Sequence, residues 1–228
     1  MQIPKDTHFA VFDTETTGLF QFRDKLTGEP VPADAPEQPR LASFAVIFAD
    51  AFGEEISREK VFIKPDGWTV AEYDAAARRD GKKPASEVNG LTDEFLNENG
   101  RPVGEVLDLW NGIVDEGLTV AAFNSQFDCK MMRAELRRAG LPDRFEETKN
   151  ICMMRGLAPY DQKGLAIMRG FVKLAVACDF FGIVNEDAHD AMADAAAARA
   201  ILEIMIQDGN LPVPAVHYAK GGKVAAHA

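Results

Sequence analysis

Asp13 and Glu15 stand two residues apart at the end of the apolar run Phe9-Ala10-Val11-Phe12 and are followed by Thr16-Thr17-Gly18. Alternate side chains of a strand share a face, so both carboxylates can point the same way and hold a divalent cation that takes hard oxygen ligands. A chain with 36 acids among 228 residues contains about five or six acid-x-acid pairs by chance, so the pair gains meaning only from its company. Asp128 falls in the first turn of an expected helix, just after a strand ending at Phe123, where an acid commonly serves only the helix dipole. His189 and Asp194 span the start of the last helix, where each alone reads as a cap or a surface residue. The order of the set points to a site: Asp-x-Glu on the first strand, Asp after a strand and turn, then His-x4-Asp opening a C-terminal helix.

The elements that must position these groups are legible in outline. Phe9 to Phe12 is a buried strand, Leu41 to Ala49 a second, and Glu54 to Ile63 its hairpin partner, with Gly53 at the turn. Between the first two strands, residues 20–40 carry Pro30, Pro32, Pro36 and Pro39 and read as a long irregular loop. Helical periodicity runs through Val70 to Arg79, a short helix is capped by Thr92, and Arg101 to Glu116 forms an apolar stripe that includes Trp110. Leu118 to Phe123 is a strand and Ser125 to Ala139 a helix stopped by Gly140 and Pro142. Further helices are expected over Phe171 to Phe181 and over the alanine-rich Ala188 to Gln207. Strands followed by strand-helix alternation define an α/β domain with a mixed sheet, over residues 1–211, with 212–228 as a flexible tail. No Gly-rich phosphate loop is present.

The formal net charge of −11 opposes a generally cationic binder of nucleic acid or membrane, so any polyanion must be met locally. Cys129, Cys152 and Cys178 are odd in number and too far apart for a CxxC metal site, which favours a reducing, cytoplasmic setting. No apolar run is long enough to span a membrane.

Together these residues resemble a known family. Phe12-Asp13-Thr14-Glu15-Thr16-Thr17-Gly18 looks like the first motif of the DEDD-type 3′-to-5′ exonucleases of the histidine subclass, which include the proofreading subunit of bacterial DNA polymerase and ribonuclease T. Phe123-Asn124-Ser125-Gln126-Phe127-Asp128 is similar to the second motif and His189-Asp190-Ala191-Met192-Ala193-Asp194-Ala195 to the third. Val88-Asn89-Gly90-Leu91-Thr92 is similar to a further signature between them, and the likeness spans Phe9 to Ile204 in order. Tyrosine-type relatives carry a Tyr where Asp190 stands here, so the histidine subclass fits better.

The resemblance implies a ribonuclease-H-like fold, a mixed β-sheet of about five strands flanked by helices. It implies two Mg²⁺ or Mn²⁺ ions on Asp13, Glu15, Asp128 and Asp194, with His189 as general base. Two such ions, about 3.5 to 4 Å apart, can serve in-line displacement at a phosphodiester. Four clustered carboxylates would otherwise repel one another. Thr14, Thr16, Leu19, Asn124 and Phe127 become expected contacts for the terminal nucleotide, with Leu19 or Phe20 as a wedge against its base.

The implied activity is hydrolysis from the 3′ end of nucleic acid, single-stranded DNA favoured, releasing nucleoside 5′-monophosphates. RNA trimming and a noncatalytic interaction module on the same fold are the alternatives. Implied partners are a nucleic acid with a free 3′ end and a polymerase or other replication or repair protein, with no membrane. Residues 126–173 carry net charge +4 against −15 for the rest, so they can flank a cleft in an acidic protein. Phe123 stands where many relatives have His, and the 20–40 and 64–86 segments are longer than usual. These are either surface insertions or elements that grip substrate or a partner.

Overall fold

A computed structural model describes residues 2–216 of the chain. Strand β1 (Phe9–Thr16) lies at the centre of the sheet, antiparallel to β2 (Leu41–Ala49), which pairs with β3 (Glu55–Phe62) as the expected hairpin. On its other side β1 is parallel to β4 (Thr119–Ala122), and β4 to β5 (Lys149–Cys152). A two-residue sixth strand, β6 (Ala215–Val216), closes the order β3-β2-β1-β4-β5-β6. The mixed six-stranded sheet flanked by helices is the ribonuclease-H-like architecture expected. Of the segment expected to be a tail, 217–228 lie outside the described residues, while Ala215 and Val216 pair with Lys149 and Asn150.

The alternation of β1 sorts its side chains between two cores. Ala10 and Phe12 pack into one with Trp110 and Ile113 of α4 (Val103–Asp115) and Met131, Met132 and Leu136 of α5 (Ser125–Arg138). The smaller helices α1 (Val70–Arg79), α2 (Ser86–Asn89) and α3 (Asp93–Asn99) precede α4. Phe9 and Val11 pack into the other core with Ala198, Ile201 and Leu202 of the last helix. Asp13 and Glu15 continue the Phe9 and Val11 row, so the strand period carries both toward that last helix.

Two short pieces follow β5, the helix α6 (Met153–Gly156) and a 3₁₀ turn at Ala158–Lys163; then come α7 (Leu174–Phe181) and α8 (Ala191–Gln207). α7 starts three residues later than its apolar phase predicts. Met168 and Phe171 exchange both backbone hydrogen bonds around Arg169 and Gly170, each with positive φ, and that tight turn ends only just before the helix. α8 also starts three residues late. His189 is left-handed at φ 70°, and Asp190 caps the helix by accepting hydrogen bonds from Met192 N and Ala193 N. Small side chains bring α8 close to the sheet: Ala191 and Ala195 meet Ala45 and Ile47 of β2.

Candidate active site

The first carboxylates sit at the C-terminal end of β1, where its parallel neighbour β4 also ends and turns into α5. Asp13 lies opposite Ala45 and Glu15 opposite Ser43, and the register slips between Glu15 and Thr16, an irregularity of the kind that re-aims side chains beside functional sites. Asp194 lies in the first turn of α8, above that face. Oxygens of Asp13, Glu15 and Asp194 all lie within 4.8 Å of one another, so residues some 180 positions apart in the chain meet in one cluster.

Asp128 arrives from the other layer. It is 4% exposed, and its Oδ1 accepts hydrogen bonds from Thr14 Oγ1 at 2.7 Å and Thr14 N at 3.2 Å. Thr14 points to the face opposite Asp13 and Glu15, which is why it meets α5. Asp128 is therefore outside the three-oxygen cluster, yet near enough that its charge weighs on Asp13.

The electrostatics are those of crowded, buried acids. Burial, then the charges of Asp128, Glu15 and Asp194, raise Asp13 well above the ordinary carboxylate range. Burial pushes Glu15 up to about 8 against the opposing hydrogen bond from Asn89. Burial lifts Asp128 to about 7 although both Thr14 donors oppose it. Asp194 is raised by burial, and a hydrogen bond from Asn185 holds it back. A divalent cation would relieve all four, and the donor set of hard oxygens without thiolate is the one that Mg²⁺ or Mn²⁺ takes, so these residues fit the expected metal.

His189 is exposed, and its backbone N–H donates to Asp194 Oδ2 at 3.4 Å. Its left-handed backbone is held from both sides by Asp190, which caps α8 and forms an ion pair with Lys60 of β3. Two amides that sequence reasoning did not single out complete the cluster. Asn89 Nδ2 donates to Glu15 Oε2 at 3.3 Å, from a turn made possible by Gly90 at φ 71°. Asn185 Nδ2 donates to Asp194 Oδ1 at 2.7 Å. Asn89 lay inside a recognised signature; nothing in the pattern around Asn185 marks it.

The five expected nucleotide contacts divide into two groups. Leu19, Asn124 and Phe127 line one groove of about 990 Å³ beside the acids. Thr14 and Thr16 are buried and occupied, Thr14 with Asp128 and Thr16 with Gly18 O at 2.7 Å. Half of the ten bases in the stretch after the second motif are taken up by ion pairs within the protein. Arg133 and Arg137 pair with Asp143, Arg138 with Glu135, Arg144 with Asp115 and Glu147, and Lys163 with Asp208.

This architecture, with acids converging at the ends of β1, α5 and α8, defines a nuclease-type α/β domain. The exonuclease family model of the RNase T type matches residues 10–202, and the chain belongs to that family. No curated protein matches it in sequence. In structure it is similar to Escherichia coli exonuclease I in a zinc-bound complex with single-stranded DNA (19% identity, TM-score 0.66), covering 90% of this chain and 41% of that one. It is also similar to exonuclease I of Methylocaldum szegediense (22%, TM-score 0.57, 87% and 40%) and to cell-death related nuclease 4 (14%, TM-score 0.64, 91% and 66%). The chain thus spans about two fifths of the exonuclease I proteins it matches. No helix among the described residues is long and apolar enough to cross a membrane.

Proposed function

We propose that the chain is a divalent-metal-dependent 3′-to-5′ exonuclease that hydrolyses single-stranded DNA to nucleoside 5′-monophosphates. The observation that carries this reading is the convergence of Asp13, Glu15 and Asp194 within 4.8 Å, with Asp128 close by, in a family member whose acids are strained without a counter-charge. The structurally similar exonuclease I of Escherichia coli is complexed with single-stranded DNA, which supports the choice of substrate.

Asp13, Glu15, Asp128 and Asp194 would hold Mg²⁺ or Mn²⁺. Bound there, the ions supply Lewis acidity at the scissile phosphate and offset charge on the leaving 3′-oxygen. The protein's own residues do the rest. Asn89 and Asn185 orient the carboxylates of Glu15 and Asp194, and Thr14 fixes that of Asp128. His189, exposed at the mouth of the cluster, accepts the proton of the attacking water as general base. Leu19 and Phe127 offer apolar surface to the terminal base.

The test is digestion of a 5′-labelled strand, as DNA and as RNA of one sequence, with Mg²⁺ or Mn²⁺, beside Asp13→Ala and His189→Ala. The expected result is a DNA ladder shortening from the 3′ end that is lost in Asp13→Ala and slowed about 10²-fold or more in His189→Ala. Undiminished cleavage by Asp13→Ala overturns the reading. Faster cleavage of the RNA reassigns the substrate.

A further inference from the structure

The groove next to the acids has a composition at odds with the rest of the chain. In a protein of net charge −11, no Asp or Glu lines it among the described residues, while Lys130, Arg133 and Arg155 do. It also presents large apolar side chains to water: Leu19 is 78% exposed, Phe22 71% and Phe171 60%.

Two of the aromatic rings stand on defined backbone. Phe22 belongs to the 20–40 loop, which is closed on itself by the Arg23–Pro30 bridge and by a hydrogen bond from Val31 N to Phe22 O at 3.2 Å. Lys130 Nζ lies 4.2 Å from the centre of the Phe22 ring and 4.3 Å from that of Phe20. It forms no ion pair among the described residues, and burial followed by the charge of Arg133 lowers its proton affinity. Phe171 stands at the end of the tight turn before α7. Arg155 is held by Gln126 at 2.8 Å, with no carboxylate on it among the described residues. Aromatic faces interleaved with cations are what a single strand needs, because bases stack on the rings and phosphates meet the charges. None of the acids lines the groove, but it reaches Phe127, whose neighbour in the chain is Asp128, and Asn124 one helical turn before that acid.

We propose that this groove is the docking site for the stretch of single-stranded DNA adjoining the cleaved 3′ end, its bases stacking on Phe22 and Phe171 and its phosphates meeting Lys130 and Arg155. The proposal rests on the exonuclease reading and adds to it the element that selects a single strand. Inside a duplex each base is stacked on both faces by its neighbours and has none to offer Phe22 and Phe171, so duplex is disfavoured.

The test is fluorescence anisotropy in Mg²⁺ with a ten-nucleotide thymidine strand, fluorescein-labelled at its 5′ end and protected by phosphorothioate linkages. A second strand carries abasic sites at the third to fifth positions from the 3′ end. The double variant Phe22→Ala/Phe171→Ala is expected to bind the intact strand about tenfold or more weakly than the wild type. The wild type should discriminate against the abasic strand by a similar factor, and the double variant should not. The wild-type comparison decides the matter even if the variant is unstable. Equal wild-type affinity for both strands, no measurable wild-type binding, or undiminished discrimination by the double variant each overturns the proposal. Any of these outcomes with hydrolysis still abolished by Asp13→Ala leaves the nuclease reading standing. Full hydrolysis by Asp13→Ala brings down that reading first.

Discussion

At the scale of single residues, the acid cluster makes the folded chain sensitive to protons and to metal in opposite ways. Asp13, Glu15, Asp128 and Asp194 all have carboxyls that hold their protons more tightly than usual, Glu15 up to about 8 and Asp128 to about 7. Unfolded, each ionises near pH 4. Below that pH both states are protonated and the cluster costs nothing. As pH rises toward 8 the unfolded chain gives up protons that the folded chain retains, so the folded state of a chain stripped by EDTA loses stability across this window. A divalent cation removes the cause. Saturating Mg²⁺ or Mn²⁺ is expected to raise the melting temperature by about 5 to 10 °C at pH 8, taking about 2.7 kcal/mol at a hundredfold excess over Kd and about 2 to 4 °C per kcal/mol. At pH 5 the rise should be less than half as large. Differential scanning fluorimetry at both values checks this; an equal shift, or a stripped protein that grows more stable from pH 5 to pH 8, refutes it. The four acids and His189 were legible because they sit in ordered motifs. Asn185 was not, since a lone amide carries no periodicity and acquires its role only when α8 folds back on β1.

Among the elements, the 20–40 loop is the long irregular connection expected, carrying only the isolated Arg23–Pro30 bridge. Its prolines read as an irregular excursion, but it is tied down by one buried carboxylate. Glu135 of α5, 2% exposed, accepts hydrogen bonds from Arg40 Nε at 2.9 Å, Arg40 Nη2 at 3.1 Å, Leu41 N at 3.1 Å and Arg138 Nη1 at 2.9 Å. Arg138 also donates to the carbonyls of Ala33, Ala35, Gln38 and Pro39. Gln38, fully buried, bonds Gln21 and Pro32 from within the loop. Removing Glu135 leaves two largely buried guanidinium groups without a counter-charge, so Glu135→Ala is expected to cost about 3 to 5 kcal/mol in urea unfolding. The Glu55–Arg58 pair, whose arginine is half exposed, should contribute less than about 1 kcal/mol. A Glu135→Ala loss no larger than that of Glu55→Ala would show that the loop is not fastened there. Helices α4 and α5 were legible because thirteen or more residues carry an apolar period, and strand β1 because the continuous apolar run Phe9 to Phe12 marks a buried strand. Strand β5 was not: Lys149–Cys152 has four residues, one charged and one amide, too few to show alternation. The late starts of α7 and α8 were hidden for a similar reason, since left-handed residues before each helix stop a periodicity that the apolar side chains alone would extend.

For the molecule as a whole, the charge distribution sets how it can meet a polyanion. The field of a chain at −11 repels DNA. Of the cations near the groove, Arg133 is already neutralised by Asp143 at 2.7 Å, which leaves Lys130 and Arg155 to displace counterions from the strand. For single strands the dependence of log K on log salt is about −0.7 per phosphate neutralised, so two cations give a slope of about −1.4. A protein that held the same strand through a basic surface of six to ten contacts would show about −4 to −7. Anisotropy titrations of the protected thymidine strand between 50 and 200 mM KCl, at constant Mg²⁺, should therefore give a shallow slope, and Lys130→Ala should flatten it by about 0.7 while lowering the affinity at every salt concentration. A slope steeper than about −4 would mean that cations outside the groove carry the binding. A slope unchanged in Lys130→Ala would remove that side chain from contact with the backbone. The shallow value has a functional consequence that the same titration reads with a blunt duplex of equal length. With so little sequence-independent attraction available, hold on the strand must come from stacking and from the metal-bound end, so the duplex should bind at least about tenfold more weakly at 150 mM salt.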